Sequence, residues 1–283
     1  MYNKIPYFTE NGMKYLSIEE LNQMLSPKDD KEKLYHFTSL DSFIKIWLSK
    51  KLLFSERINM NDFAEANDMV TGNDYLKMKI YLYCITEYKQ ISLSRQYCKN
   101  EDEIFKSSLM WGYYANKCTG VCIELDKEKL LINNYEGIKY DSVEYLPNIP
   151  YNTKDVDKED IANIDDARKI LDNDLHNTYF VKSKQWEFEN EFRIISRTRT
   201  NIDISDCILK VYLFHADKTT QEIVYNLIDG KTEVRIMHVS LRNQEKILGT
   251  YPLTKELLDR KEVRFDDGEF KKLQLEDKKE NFK

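Results

Sequence analysis

Apolar residues recur along this chain at two spacings, and each change from one spacing to the other predicts a boundary. Leu34 to Phe37 predicts a short strand, and Leu40, Phe43, Ile44, Trp47 and Leu48 follow at once at helical spacing. Thr38 and Asp41 stand at capping-box spacing in front of that helix, so the turn is chemically specified. Leu52 to Ser55 predicts a return strand. Asn61 and Asp62 are caps for a helical region that breaks near Gly72 and continues through Tyr75 to Cys84, and Ile91 to Arg95 predicts the next strand. Glu103 to Ala115 carries Ile104, Phe105, Leu109, Trp111 and Tyr113 in a helical pattern with acidic residues at its start. Gly120 then opens a strand from Val121 to Leu125.

Further on, Ile138 to Leu146 alternates as a strand, and the proline- and charge-rich stretch from Pro147 to Asp160 has the composition of an exposed insertion, expected to be a loop. Ile161, Ile164, Ile170, Leu171, Leu175 and Tyr179 form a helical stripe. Phe188 to Ser196, Ile208 to Phe214 and Val234 to Leu241 predict strands, and Asp217 to Ile228, ended by Gly230, predicts a helix. Strands and helices alternate irregularly, with no Gly-rich turn between a strand and its following helix. This predicts an α+β fold, a sheet with helices on its faces, rather than a doubly wound one.

At 283 residues the chain is within reach of one large domain, so residues 1–283 are expected to share one core. That core spans 34–254, interrupted by the insertion at 147–160 and followed by a charged C-terminal extension, 255–283, that ends in a helix or strand and a solvated tail. A net charge of -6 with 41% hydrophobic residues excludes a polybasic coat for DNA or membranes. The apolar stretches fall short of the ~20 residues of a membrane helix, and the start MYNKIPYFTENG lacks a signal-peptide core, so the protein is expected in the cytoplasm and away from membranes. Five cysteines, at 84, 98, 118, 122 and 207, lack paired spacing and fit reduced thiols, with Cys118 and Cys122 read as buried small hydrophobes rather than a zinc site.

Gly230-Lys231-Thr232 resembles the end of a phosphate-binding loop, but position 225 is Tyr and the triplet follows a helix instead of opening one. GxGxxG, HExxH, GxSxG and CxxC are all missing, and the histidines at 36, 176, 215 and 238 are scattered. A mechanism without a metal is expected.

Chemistry concentrates in a few segments. In LYHFTSL, Leu34 to Leu40, Tyr35 and Phe37 share one face of a strand and His36 the other, so His36, Thr38 and Ser39 could converge on a polar ligand such as a ribose. A core histidine followed by a helix cap explains the same residues. In WEFENEFR, Trp186 to Arg193, strand alternation places Trp186, Phe188 and Phe192 toward the core, with Glu187, Glu189, Glu191 and Arg193 on the opposite face. Such a ridge can supply a base or stabilise positive charge, because a carboxylate beside an arginine is held ionised; a solvated edge that resists aggregation has the same pattern. In LMWGYYANKCTGVCIEL, Leu109 to Leu125, a tyrosine left exposed beside a cleft offers a stacking face, whereas rings of this kind usually fill a core. ISLSR, Ile91 to Arg95, points Ser92 and Ser94 together, and Arg95 could meet a phosphate.

Taken in order, LYHFTSL, LLFSERINMNDFAEAND, ISLSR, LMWGYYANKCTGVCIEL and WEFENEFR resemble the bacterial family called domain of unknown function 2971, between residues 34 and 197. The chain departs from that pattern at Phe63, where proline is usual, and at Gly112 and Lys117, where more polar residues or histidine are common, which bears on local loop geometry. The family is in turn similar to the ADP-ribosyltransferase fold, including DarT-type toxins that share the opening histidine, hydroxyl and helix. This resemblance implies a split, mainly antiparallel sheet around a cleft for NAD, which would be the substrate. It also implies that His36 and Thr38 bind a ribose hydroxyl, that Tyr113 or Tyr114 stacks on nicotinamide, and that Glu191 is the catalytic carboxylate. Glu189-Asn190-Glu191 resembles a paired-glutamate signature in which the first glutamate, here Glu189, activates an acceptor. The acceptor would be a protein or nucleic acid, and the protein a toxin or phage-defence effector. Two other classes stand beside this one. An inactive nucleotide-binding or protein-interaction module would keep His36 and the tyrosines without needing Glu191. A nuclease or other nucleic-acid-modifying enzyme has the acidic balance against it.

Overall fold

The computed structural model describes residues 4–9, 12–17, 32–59, 70–95, 108–147, 154–214, 216–242 and 245–259. Helices accompany a mainly antiparallel mixed sheet, as the α+β expectation requires. The chain separates into two compact units, each drawn from three stretches: 1–31, 52–94 and 128–203 in the first, 32–51, 95–127 and 204–283 in the second.

In the second unit, β3 (Lys33–Thr38), β8 (Val121–Asp126), β15 (Ile208–Phe214), β16 (Glu233–Arg242) and β17 (Glu245–Pro252) lie in the order β17-β16-β15-β8-β3. Only β15 and β16 run parallel. Leu34, Tyr35, Phe37 and Thr38 are all buried, so both faces of β3 are covered. Thr38 pairs with Val121 in the ladder and stays extended. The cap of α1 (Leu40–Ser49) therefore falls to Ser39, whose Oγ accepts from the Ser42 N–H at 3.2 Å, one residue later than the capping-box spacing predicts. The Trp47 indole donates to the Leu227 carbonyl of α7 (Lys218–Ile228) at 3.0 Å. Asp217 caps α7 at its start, and Asp229, in the left-handed conformation, ends it one residue before Gly230.

Of the helix predicted from Glu103 to Ala115, α3 (Ser108–Tyr114) is seen, and 103–107 lie outside the described residues. Trp111 meets Phe37 edge-on at 5.2 Å and lies 5.4 Å from Phe214, which seats α3 against the sheet. The chain leaves α3 through three consecutive left-handed residues, Asn116, Lys117 and Cys118. Such a run is unfavourable for residues with a Cβ, and hydrogen bonds hold it here: the Cys118 N–H donates to Trp111 O at 3.0 Å and the Gly120 N–H to Ala115 O at 2.8 Å. A short helix, α8 (Lys255–Asp259), begins the C-terminal extension.

In the first unit, β7 (Lys89–Arg95) lies between β5 (Ser55–Glu56) and β13 (Glu191–Ser196), and β9 (Lys139–Ser142) flanks β13 on the other side, all antiparallel. Two predicted strands are interrupted. Leu52 to Ser55 divides at Phe54, between β4 (Lys51–Leu53) and β5, where the Phe54 N–H turns to Thr200 O just before β14 (Asn201–Asp203). Ile138 to Leu146 divides at Val143. There the Val143 N–H donates to Glu191 O and the next N–H to Phe180 O, so the chain passes from the β9 ladder into β10 (Glu144–Leu146), parallel to β12 (Val181–Ser183).

The insertion is not all loop. Lys154–Asp155 forms β11, parallel to β6 (Val70–Thr71), and a 3-10 turn follows at Val156–Lys158; 148–153 lie outside the described residues. Asp157 accepts from the backbone of Asn73 and Asp74, ahead of α2 (Tyr75–Glu87), which Asp74 caps. The proposed caps Asn61 and Asp62 also lie outside the described residues. The stripe from Ile161 to Tyr179 divides at Asp174 into α5 (Ile164–Asn173) and α6 (Leu175–Tyr179). Tyr81, Cys84, Ile85, Leu171, Tyr179 and Ile195 pack together as part of this unit's core. α4 (Lys127–Asn134), missed by the pattern, is tied down where the Asn134 amide donates to Leu130 O and Asp203 O. A backbone hairpin pairs β1 (Lys4–Thr9) with β2 (Gly12–Ser17).

Candidate functional site

WEFENEFR is where structure and expectation differ most. Lys184–Glu189 is a 3-10 turn, Asn190 is left-handed with φ 42, and the strand begins only at Glu191. The alternation of aromatic and charged residues imitates a strand, but the turn places Glu189 beside Glu191 by a different route. Neither carboxylate is solvated. Glu189 is 4% exposed and Glu191 2%, and all six residues of β13 are buried, so both the open-ridge and the solvated-edge expectations are corrected; only Glu187 is exposed.

Charges buried this deeply need partners, and each has one. Arg193 grips Glu191 with both arms of its guanidinium, Nε to Oε1 at 2.7 Å and Nη2 to Oε2 at 2.8 Å. Its remaining arm donates to the Tyr179 carbonyl at the end of α6. Lys182, on β12 and 4% exposed, donates to Glu189 Oε2 at 2.7 Å and lies 3.5 Å from Glu191 Oε2. Its ammonium is 5.0 Å from the Trp186 ring centroid. Two carboxylates thus face two cations. Neutral partners complete the cluster: Ser94 donates to Glu189 O at 2.7 Å, and the Glu191 N–H donates to the Tyr145 hydroxyl at 2.8 Å.

Burial by itself would raise the pKa of Glu191. The charges of Arg193 and Lys182, with hydrogen bonds from Arg193 and Ser92, outweigh it and lower the value to about 2. Burial pushes the Tyr145 phenol well above its ordinary range, so it stays neutral and can accept from Glu191. On β7, Ser94 lies across from Glu191 and Ser92 across from Arg193, on one face as predicted. Ser94 is buried and Ser92 exposed, which makes Ser92 the solvent-side member of the cluster.

The sequence-derived candidates divide between the units. Ser94, Glu189 and Glu191 come together in the first. His36, Thr38, Ser39, Arg95, Tyr113 and Tyr114 belong to the second. There Thr38 is buried, Ser39 serves as the cap, and Arg95 is half-buried at the end of β7. His36 is half-buried and projects from the face of β3 opposite Phe37. Tyr113 is 62% exposed, and its ring centroid is 6.5 Å from that of Tyr114, which is half-buried.

Sequence reasoning missed Lys182, Tyr145 and Tyr179. Lys182 sits in a three-residue strand too short to show a period, and nothing in VKSK separates it from Lys184. It also passed over His176, which faces Asp141 at 3.7 Å and Glu144 at 3.5 Å; the interaction with the Asp141 carboxylate leads in raising the imidazole pKa. Among the described residues, no group of three or more His, Cys, Asp or Glu is placed to hold a metal, and no helix is long and apolar enough to cross a membrane. Cys84, Cys122 and Cys207 are buried and Cys118 is half-buried.

Residues 110–194 match the model of the family described as protein of unknown function (DUF2971). The matched stretch contains Tyr113, Tyr114, Lys182, Glu189, Glu191 and Arg193. No curated protein and no solved structure matches the chain.

Proposed function

We propose, starting from that family match and the buried glutamate pair, that the protein is an NAD-cleaving enzyme of the ADP-ribosyltransferase type, with Glu191 as its catalytic carboxylate. The observation that carries this reading is the state of Glu191: a carboxylate held ionised and rigid by Arg193, with the exposed Ser92 beside it. Breaking the bond between nicotinamide and ribose spreads positive charge over the sugar. A carboxylate fixed in place before that charge appears stabilises it without reorganising. Nicotinamide departs as a neutral base, so the remaining task is orientation of the sugar against the carboxylate. Glu189, joined to Glu191 through Lys182, is assigned to the acceptor. The fold belonging to this reading is the split sheet of the ADP-ribosyltransferases, and the acceptor is a protein or nucleic acid.

One observation favours a second reading, a nucleotide-binding or protein-interaction module without catalysis. Both Glu191 oxygens are occupied by Arg193 in a group only 2% exposed, as befits a structural ion pair.

Nicotinamide release from NAD separates the two, measured with and without host lysate or DNA for wild type and Glu191→Gln. The glutamine keeps the shape and removes the charge. Release by the wild type that falls about 10²–10³-fold in the variant supports catalysis by Glu191. If the wild type neither releases nicotinamide under any condition nor binds NAD, the enzyme reading fails and the binding module takes its place.

A further inference from the structure

Lys182 touches both glutamates, and the NAD-cleaving mechanism gives it no task. Arg193 grips Glu191 with two hydrogen bonds and donates a third to the Tyr179 carbonyl. The titratable and charged groups facing the pair include Lys182 from β12, Arg193 from β13 and Tyr145 from β10. β7 adds the hydroxyl of Ser92, with Ser94 bonded to the Glu189 backbone, and α6 adds a carbonyl. Two carboxylates that share a buried site repel each other strongly unless a cation sits between them.

We propose that Lys182 is a positioning residue for the glutamate pair: its ammonium, 2.7 Å from Glu189 and 3.5 Å from Glu191, keeps both carboxylates charged and turned toward one another, and thereby sets the pH range in which the site works. The ammonium is aimed by its own strand. β12 is parallel to β10, which supplies Tyr145, and it leads directly into the 3-10 turn that ends at Glu189. Lysine suits this place better than arginine, because a compact point charge can serve two acceptors at once, whereas a guanidinium fork grips one carboxylate in the way Arg193 does. The consequence for pH rests on the NAD-cleaving reading; the consequence for the charge of the pair does not.

Two measurements on the full chain test it, using Lys182→Met and Lys182→Arg. The first is a carbon-13 NMR titration of labelled glutamate carboxylates, with Glu189→Gln and Glu191→Gln identifying the signals. In Lys182→Met, one carboxylate of the pair is expected to take up its proton at least about one pH unit higher than in the wild type, and Lys182→Arg, which returns the charge but serves one acceptor better than two, to restore part of the shift. The second is the pH profile of nicotinamide release. Lys182→Met is expected to move its acidic limb upward by a similar amount and to lower kcat about tenfold or more with KM for NAD unchanged, again with partial rescue by arginine.

A strut that merely fills space would lower the folded fraction and leave the limb in place. If Lys182→Met titrates as the wild type does, the proposal is overturned. If the wild type cleaves NAD and Lys182→Met has the same profile per folded molecule, the proposal falls while the NAD reading stands. Should the wild type cleave no NAD, the NAD reading falls and the titration alone decides Lys182. For the case in which Lys182→Met does not fold, the comparison is Lys182→Met/Glu189→Gln, which removes one charge of each sign. Recovery of folding in the double variant supports an electrostatic role; additive losses overturn it.

Discussion

Arg193→Met is expected to destabilise the protein by about 3–5 kcal/mol at neutral pH, the cost of leaving a buried carboxylate without its main partner. Arg193 is 1% exposed and supplies two of the hydrogen bonds to Glu191 as well as the donor for the Tyr179 carbonyl. Methionine fills much of the volume, so the loss reports charge and hydrogen bonding more than a cavity. Lys182 remains, but at 3.5 Å and already engaged with Glu189. Urea unfolding measures the loss, and a change below about 1 kcal/mol would place the pair among those that contribute little. Removing both charges in Glu191→Gln/Arg193→Met is expected to cost less than the sum of the two single changes, since no uncompensated ion is then left inside.

The same pair fixes how stability depends on pH. Glu191 has a folded value of about 2 against an ordinary value of 4.5, so the unfolded chain binds the proton more readily than the folded one. Its contribution is complete above the ordinary value and is lost as pH falls from there toward about 2. Urea midpoints of the wild type are therefore expected to fall across that window, and those of Arg193→Met to fall much less, starting from a lower level. Parallel curves through the window would show that Arg193 does not set the charge state of Glu191.

Gly120→Ala is expected to cost about 3 kcal/mol or more, a size reached by only a few mechanisms, of which enforced overlap in a packed interior is one. An added Cβ would lie 2.2 Å from the Thr38 carbonyl oxygen and 2.8 and 2.9 Å from backbone atoms of Ala115. All three are backbone atoms. No side chain can swing aside, and the Gly120 N–H is itself bonded to Ala115 O. Relief requires β3 and the left-handed turn after α3 to separate, which would also shift the Trp111 contact with Phe37. Gly112 supplies the internal control. A Cβ there meets nothing within 4 Å, so Gly112→Ala in α3 is expected to stabilise by roughly 0.5–1 kcal/mol. Denaturation midpoints that move in opposite directions confirm the contrast, and equal effects would refute the steric argument.

Helix α1 was legible because a single apolar stripe follows a strand without a gap, and α7 because its cap and its end fall within a residue of the expected places. The strands β8 and β15 were legible as short apolar runs, and β7 from the alternation of Ile91 and Leu93 with Ser92 and Ser94. The breaks at Phe54 and Val143 were not. Each occurs where a backbone N–H leaves one neighbour for another, and that neighbour is remote in sequence. The candidate site divides in the same way. Glu189, Glu191 and the arginine that keeps Glu191 ionised could be read from eight adjacent residues, whereas their burial, the 3-10 turn that brings them together and the ammonium of Lys182 could not.

By itself, then, the sequence determined the α+β class, most of the helices and strands, and the carboxylates on which the chemistry is proposed to turn, because periodicity and local charge pairing act over a few residues. Tertiary structure alone decided that those carboxylates are buried and held against Lys182, Tyr145 and Ser92, because the energy of a buried charge depends on partners that only the folded chain brings within hydrogen-bonding distance.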